Sequence, residues 1–387
     1  MRNQTNLDYE AERSYLNDFE PTTDTFMLFL RGIHEECMQY ALWKHTSPYS
    51  SKASLIISHD VDSQSSMDLM ASFADMEAKF GVSSTYNINT HYIEDFVDND
   101  FYTPNISKIN YILGKGQSVG SHGVGHFPDW DNETVIPIGN SGNTKTEYKP
   151  YYDGQTTTGA TVFGELEVSK QLLENDLGVL IKTFRSGHLL WNDNQIRVLE
   201  TLGYQFDSSF SANTVLTNFP YLCQYDRSVA GGMSGIYELP LTISDSNMDG
   251  SNNADTVSVW LDVLIRNARN NALTVLLVHP NRTYKVSAEE SFLNQLPSSI
   301  ETLDMDSFGT FWKARNSFSY TSAIENNILM ITVQNMAITP IHKGISLRVR
   351  NGSKLSGISI KASDGRSMGY TAVHYNSDDI IIYGFQL

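Results

Sequence analysis

Short apolar segments alternate with amphipathic segments along most of this chain, and this rhythm limits the possible folds more than any other feature. Residues 53–58 read as a buried strand, and residues 67–80 read as an amphipathic helix that Gly81 ends. A second strand is predicted at residues 83–89, and the alternation continues to a strand at residues 273–278. Repeated β–α units predict an α/β fold, built as a parallel sheet or a closed β/α barrel.

Polar residues follow the carboxyl ends of several predicted strands. In β/α barrels, that end of the strands carries the active site. Core packing does not explain this distribution, so we expect these side chains to meet in one functional site. They are Asp60, Asp62, His122, Arg185, Asp207 and His279.

The pattern divides the chain into three predicted parts. Residues 1–50 form a helical extension that packs on the barrel, and residues 51–316 form the barrel itself. Residues 317–387 show alternating apolar segments separated by turn signals, which predicts a small sandwich-like all-β module. A long insertion at residues 127–162 interrupts the barrel, and its aromatic residues, including Trp130, are predicted to line the rim of the site.

Composition excludes several classes of partner. The chain has 27 Lys and Arg against 44 Asp and Glu, and this net charge of −17 repels nucleic acid and anionic membranes. No apolar run is long enough to span a membrane, and the first residues lack the apolar core of a signal peptide. Two cysteines, Cys37 and Cys223, make no disulfide scaffold, and we expect each to be a small buried hydrophobe.

His122 and His126 have a spacing that lets two imidazoles face one metal ion. With Asp62 they form a facial set of one carboxylate and two imidazoles, which leaves positions open for water and substrate. A metal held in this way lowers the pKa of bound water from about 15.7 toward roughly 7. We expect one divalent ion here, zinc first, with cobalt, nickel or manganese as alternatives.

Hydrolysis of an amide or ester also needs a base and an acid. Asp60 shares one side of the extended segment with Asp62 and is the expected base, while Arg185 would keep it ionised. His279 is the expected general acid. Asp207 is predicted either to hydrogen-bond His279 or to cap its own turn.

Two further residues are expected to line the pocket. Gly187 and His188 follow Arg185, and nearby backbone N–H groups could bind an oxyanion. His59 is expected to point away from Asp60, because side chains alternate along an extended segment.

With these residues in place, residues 53–300 resemble the polysaccharide deacetylases of carbohydrate esterase family 4, which carry the nodulation-type homology domain. Two departures from the family pattern are present: Val61 separates the two aspartates, which leaves an exchange of their roles open, and the third motif lacks its proline. The matching segments are Ser58-His59-Asp60-Val61-Asp62, Val119-Gly120-Ser121 followed by His122 to His126, Arg185-Ser186-Gly187-His188, and Leu277-Val278-His279.

The resemblance implies a distorted β/α barrel of seven or so strands with one divalent ion, commonly zinc. It also implies metal-assisted removal of acetyl groups from a polysaccharide or oligosaccharide, with an extracytoplasmic location. The Asp-x-Asp variant leaves a hydrolase of cyclic, non-sugar amides as an alternative. A non-catalytic carbohydrate-binding protein is a third reading, and retention of Asp60, Arg185 and His279 counts against it.

Overall fold

A computed structural model describes residues 21–225, 229–245, 248–334 and 344–387 of the chain. The first twenty residues of the predicted N-terminal extension therefore lie outside the described residues. Within the described ranges, no helix combines the length and the apolar character that crossing a bilayer requires.

Strands and helices alternate through most of the chain, in agreement with the rhythm of the sequence. The first thirteen strands are β1 (Leu42–Lys44), β2 (Ala53–Val61), β3 (Thr85–Ile88), β4 (Ser118–Ser121), β5 (Tyr151–Tyr152), β6 (Thr157–Thr158), β7 (Thr183–Phe184), β8 (Phe206–Asp207), β9 (Tyr221–Gln224), β10 (Met233–Glu238), β11 (Ile243–Ser244), β12 (Thr274–Leu277) and β13 (Ile300–Thr302). The α-helices are α1 (Thr22–Cys37), α2 (Gln64–Phe80), α3 (Ile106–Gly114), α4 (Val162–Leu177), α5 (Gln195–Thr201), α6 (Ala212–Val215), α7 (Asn253–Asn270), α8 (Thr283–Leu293) and α9 (Met305–Ser317).

Ten strands form one curled sheet in the order β11-β12-β2-β3-β4-β7-β8-β10-β9, with β13 also paired to β2. All neighbours are parallel except β9, which runs antiparallel to β10. In the described part of the chain no pairing joins β11 to β9, so the sheet is a curled, open half-barrel. This confirms the predicted α/β fold and, of the two alternatives that the sequence leaves open, favours the parallel sheet over the closed barrel. The apolar residues at 236–243 predict one strand, but the structure has two, β10 and β11, which are separated near Pro240, a residue with no N–H to donate.

The central strand β2 presents different chemistry on its two faces. Leu55 and Ile57 belong to the large core between the sheet and its outer helices, whereas Ile56 belongs to a smaller core on the concave face. Because side chains alternate along a strand, Asp60 shares the concave face with Ile56, and His59 faces the helices. The strand therefore carries two separate polar sites back to back.

Helices α8 and α9 have no counterpart among the elements expected from the sequence. Helix α9 closes the concave face, where Phe308, Phe311 and Trp312 pack with Ile56 of β2. Its start is capped by the side chain of Asp304, which accepts a hydrogen bond from the N–H of Ser307 at 3.0 Å.

The C-terminal strands form two small sheets over a shared apolar core that includes Leu329, Leu347 and Phe385. Strand β1 of the N-terminal segment pairs antiparallel with the second of these sheets, a contact that the sequence does not indicate. A separate sandwich-like domain stays a prediction. The strands are β14 (Ser319–Glu325), β15 (Ile328–Gln334), β16 (Ser346–Val349), β17 (Gly357–Ala362), β18 (Gly369–His374) and β19 (Ile380–Gln386), in the sheet orders β14-β15-β17 and β1-β16-β19-β18.

Both cysteines are free thiols. Cys223 is buried as expected, but Cys37 is exposed, so the expectation of a buried hydrophobe is wrong at that position. Cys37 is the last residue of α1, where the chain faces solvent.

Candidate active site

A buried ion pair forms the base of the candidate site. The guanidinium of Arg185 is fully buried, and its Nη1 donates to Oδ1 of Asp60 at 2.9 Å. Nη1 also donates to Oγ of Ser58, while Nε and Nη2 donate to the carbonyl and hydroxyl oxygens of Ser208. Four hydrogen bonds therefore hold Arg185 in one orientation, and the pair expected from the sequence is present.

The surroundings of Asp60 keep its carboxylate charged. Burial alone would raise the pKa of Asp60, but the Arg185 guanidinium, with His122, His279 and the amide of Asn87, holds that pKa below its usual value. Asn87 lies directly opposite Asp60 on β3 and donates to Oδ1 at 2.9 Å. Asn87 is a site residue that the sequence analysis missed, although it lies within a predicted strand that ends beside the site.

His122 directly follows β4, and a backbone contact sets its tautomer. Its Nδ1 donates to the carbonyl of Arg185 at 2.8 Å, which leaves Nε2 available to a metal ion. Nε2 lies 3.8 Å from Oδ2 of Asp60. The segment that follows is a loop rather than a helical turn, with Gly123 and His126 at positive φ.

His126 reaches the same region from the loop. The centroids of the His122 and His126 rings are 4.9 Å apart, and the His188 ring lies 4.2 Å from that of His126 at an interplanar angle of 60°. Burial, followed by the neighbouring His188, His122 and His279, lowers the pKa of His126 well below its ordinary value. His126 is therefore a neutral imidazole, the form that binds metals.

Gly187 is placed against His126, and this close approach requires glycine. A Cβ at this position would lie 2.8 Å from Cδ2 and 3.2 Å from Nε2 of the His126 ring. We expect Gly187→Ala to displace the imidazole and weaken metal binding by about 10–100-fold, which a competition titration with a chromogenic chelator would measure. Ser186→Ala is the matched control, since the buried Ser186 hydroxyl has no hydrogen-bond partner among the residues that the structure describes. Unchanged metal affinity in Gly187→Ala would show that His126 is not a ligand.

Glu165, in α4, holds the loop that carries the two histidines. Its Oε2 accepts the N–H groups of Val124 and Gly125 at 2.9 and 2.8 Å, and its Oε1 accepts from the hydroxyl of Tyr148. Burial raises the pKa of Glu165 to about 7, although these hydrogen bonds lower it in part. The residue lies in the first turn of α4, and the sequence pattern offers no sign of this role.

Removing the Glu165 side chain is expected to loosen the histidine loop. Glu165→Ala leaves two buried N–H groups without an acceptor, at a cost of about 1–3 kcal/mol each in the free energy of unfolding. Glu165→Gln keeps an acceptor oxygen, so it should retain most of that stability in urea denaturation. Because the folded state raises the pKa of Glu165 from 4.5 to about 7, this group's contribution to stability falls as pH rises across that interval. That slope should disappear in Glu165→Gln, and an unchanged slope would contradict the assignment.

His279 is held by Asp245 rather than by Asp207, which corrects one of the two sequence expectations for Asp207. Oδ1 of Asp245 accepts from Nδ1 of His279 at 2.8 Å, and Oδ2 accepts the His279 backbone N–H at 2.7 Å. Lys285 completes the group, with its Nζ 2.6 Å from Oδ2 of Asp245. Asp245 is a site residue that the sequence pattern does not indicate. It follows the break between β10 and β11, and this region reads as a single strand in the sequence.

The environment of His279 favours the protonated ring. Burial lowers its pKa, but Asp245, with smaller contributions from Asp62 and Asp60, raises it to about 9 overall. Nε2 of His279 lies 3.9 Å from Oδ2 of Asp62, and the two side chains are 28% and 20% exposed. His279 is therefore an imidazolium at neutral pH with its Nε2 directed to an accessible part of the site.

Asp207 is a buried structural residue. It accepts hydrogen bonds from Nε2 of Gln195 at 2.8 Å and from Oγ of Ser209 at 2.5 Å. Burial raises its pKa to about 6. Its contacts with the turn that follows β8 agree with the capping alternative and do not place it at the reacting groups.

The residues expected to line the pocket differ in exposure. His188 is exposed and has positive φ, so it can reach a bound molecule. Trp130 is 4% exposed, and its indole Nε1 donates to Gln195 at 2.9 Å. The expectation that Trp130 lies on the rim is wrong, because it packs beneath the histidine loop and lines a small internal cavity with His122 and His126.

The residues expected to bind a metal fit the chemistry of such a site. Asp62 offers a carboxylate, His126 is neutral, and Nδ1 of His122 is already occupied by a carbonyl, which directs Nε2 to a ligand. The three donors are not preassembled, since in the described part of the chain only His59, Glu77 and Glu289 have donor atoms within 4.8 Å of one another. Ion binding would therefore involve a side-chain adjustment.

Comparison of the fold with solved structures gives a consistent answer. A crystal structure described as a candidate polysaccharide deacetylase from Mycobacterium smegmatis matches with a TM-score of 0.51 and 16% identity, over 71% of this chain and 96% of that chain. The chain has the polysaccharide deacetylase fold.

Other solved structures of the same group match at lower similarity. A family 4 carbohydrate esterase from Streptomyces lividans in complex with acetate has a TM-score of 0.39 and 11% identity, over 65% of this chain and 92% of that chain. A CE4 family pseudoenzyme from Bacillus anthracis has a TM-score of 0.38 and 11% identity, over 67% of this chain and 66% of that chain. A scan against protein-family profiles and a search of curated proteins found no match.

Proposed function

We propose that this protein is a metal-dependent hydrolase that removes acetyl groups from an N- or O-acetylated polysaccharide or oligosaccharide. The proposal is supported by the polysaccharide deacetylase fold and by the residues at the carboxyl ends of its strands. The acidic chain is compatible with a neutral glycan and disfavours a polyanion.

One observation carries the proposal: the site holds a carboxylate and an imidazole whose pKa values are shifted in opposite directions. Arg185 keeps Asp60 ionised, and Asp245 keeps His279 protonated. Groups with pKa values separated in this way are the pattern of a paired general base and general acid.

Each residue then has a defined task. Asp60 accepts a proton from the attacking water, and Arg185 keeps it oriented for that transfer. His279 donates its Nε2 proton to the departing amine or alcohol, because its Nδ1 is committed to Asp245. Asp62, His122 and His126 would hold a divalent ion, zinc first, which supplies Lewis-acid chemistry by polarising the acyl carbonyl and lowering the pKa of water.

The decisive experiment measures acetate release. The zinc-loaded protein is incubated with a panel of N- and O-acetylated oligosaccharides and, in parallel, with cyclic imides. Release of acetate from a sugar, abolished in His279→Ala, supports the proposal. Turnover of an imide without any acetate release would instead support the cyclic amide alternative, which rests on the spacing of Asp60 and Asp62. No turnover of either class would overturn both.

A further inference from the structure

A second polar cluster lies behind the candidate active site, on the opposite face of β2. It consists of His59 of β2, Glu77 of α2 and Glu289 of α8, and each of these side chains is 0% exposed. The ring of His59 is enclosed by Phe73 and Tyr86, whose centroids lie 5.1 and 4.5 Å away. Burial of two carboxylates in such surroundings is costly unless positive charge compensates them.

The hydrogen-bonding contacts of the His59 ring show where a positive charge is needed. Nδ1 of His59 lies 3.0 Å from the carbonyl of Val278, which can only accept, so Nδ1 carries a proton. In a neutral imidazole, Nε2 is then an acceptor as well. It faces Oε1 of Glu77 at 2.9 Å, and two acceptors at that distance need a positive charge between them, which is either a proton on Nε2 or a bound cation.

Glu289 provides the second, independent observation. Neither of its carboxylate oxygens has a hydrogen-bond partner among the described residues, and Oε2 lies 3.8 Å from Nε2 of His59. Glu77, by contrast, accepts from the hydroxyl groups of Ser84 and Tyr86. Burial, followed by the nearby Glu77 carboxylate, raises the pKa of Glu289 well above its ordinary value, so this group is either protonated or neutralised by a bound positive ion.

From this geometry we infer that His59, Glu77 and Glu289 form a second, buried divalent-cation site, separate from the candidate active site. With both carboxyl groups deprotonated and the imidazole neutral, the set would carry two negative charges, which one divalent ion neutralises. Imidazole nitrogen and carboxylate oxygen suit zinc, which binds them at about 2.0–2.2 Å, so two donors can lie up to roughly 4 Å apart. The donor atoms here lie within 4.8 Å, and a small movement of Glu289 would close the set.

The position of this site gives the ion a structural role. It would join the central strand β2 to α2 and α8. Helix α8 also carries Lys285, one turn before Glu289, and Lys285 pairs with the Asp245 carboxylate that holds His279. The ion would therefore stabilise helix α8 and, through it, the Lys285–Asp245 pair that holds the proposed general acid His279. It would do so from the opposite face of the sheet, without contact with substrate.

The test counts bound metal in a variant that lacks the candidate active-site ligands. The double variant His122→Ala, His126→Ala is unfolded in denaturant that contains a chelator, and is then refolded with excess Zn²⁺. Unfolding is needed because the cluster is fully buried, so an ion cannot exchange in the folded protein. After gel filtration, elemental analysis should find about one zinc ion per chain. Adding Glu289→Gln to this background should lower bound zinc at least about tenfold. Adding Glu290→Gln, an exposed neighbour on the same helix, should leave it unchanged.

A second readout does not depend on the folding of the Glu289 variant. Refolding the double variant with Co²⁺ should produce visible absorption bands of a cobalt ion bound by nitrogen and oxygen, and should raise the thermal midpoint relative to the metal-free protein. A folded double variant that retains no zinc and shows no cobalt bands would overturn the inference. The charges of the cluster would then be neutralised by protons shared among His59, Glu77 and Glu289. Because neither readout uses acetate release, failure of the proposed function leaves this test intact.

Discussion

Asp60→Asn is expected to lower acetate release by about 10²–10⁴-fold, the usual contribution of a general base, while bound metal stays near the wild-type amount. The amide keeps the size of the side chain but cannot take a proton from water. It also leaves the Arg185 charge buried without its carboxylate partner, so the free energy of unfolding should fall by about 3–5 kcal/mol. Circular dichroism and urea denaturation would establish that the variant is folded at the assay temperature.

Asp62→Asn is the matched comparison, because the two aspartates differ by only one intervening residue. Asp62 has no contact with Arg185 in the structure; its Oδ1 accepts from Ser66 at 3.2 Å. Asp62→Asn should therefore lose metal with a smaller effect on stability. If Asp60→Asn lost the metal and Asp62→Asn kept it, the two roles would be exchanged.

Asp245→Asn is expected to move the alkaline limb of the pH–rate profile to lower pH. A general acid works only when protonated, so activity is lost as pH rises through its pKa, which Asp245 raises to about 9 in His279. Removing that carboxylate leaves Asp62 and Asp60 as the nearby negative charges, and the limb should move toward the ordinary value of 6.5. The profile of kcat/KM between pH 5 and 10 measures this shift.

Lys285→Met serves as the control for Asp245→Asn. It removes the ammonium that pairs with Oδ2 of Asp245 but keeps the carboxylate on Nδ1 of His279. The alkaline limb should then stay well above its position in Asp245→Asn. Coincident limbs in wild type and Asp245→Asn would show that His279 is not the acid.

Site residues at the carboxyl ends of strands could be predicted from the sequence. Asp60 is the last residue but one of β2 and Arg185 comes immediately after β7, so parallel pairing brings them together without any information from outside the sequence. His122 comes immediately after β4 and reaches the site in the same way. The sequence leaves an open parallel sheet and a closed barrel as alternatives, because closure depends on whether the first and last strands meet.

Residues that support the site from loops or helices were not predictable in the same way. Asp245 follows a break in a segment that reads as one strand, and Glu165 lies in the first turn of a helix, where a buried carboxylate has no periodic signature. The aromatic residues of the insertion predict a rim that includes Trp130, yet the indole N–H of Trp130 has a buried partner in Gln195. Such pairings join residues far apart in sequence, so pattern alone cannot supply them.

The pairing of β1 with β16 constrains the order in which this chain can fold. The two strands are separated by about 300 residues, and a contact of that sequence distance forms late because the loop between them must first become compact. During synthesis, β1 leaves the ribosome long before its partner exists. The edge of β1 therefore stays unpaired until the deacetylase-fold region has folded. Pairing of β1 with β16 is a late folding step, and it joins the two ends of the described chain.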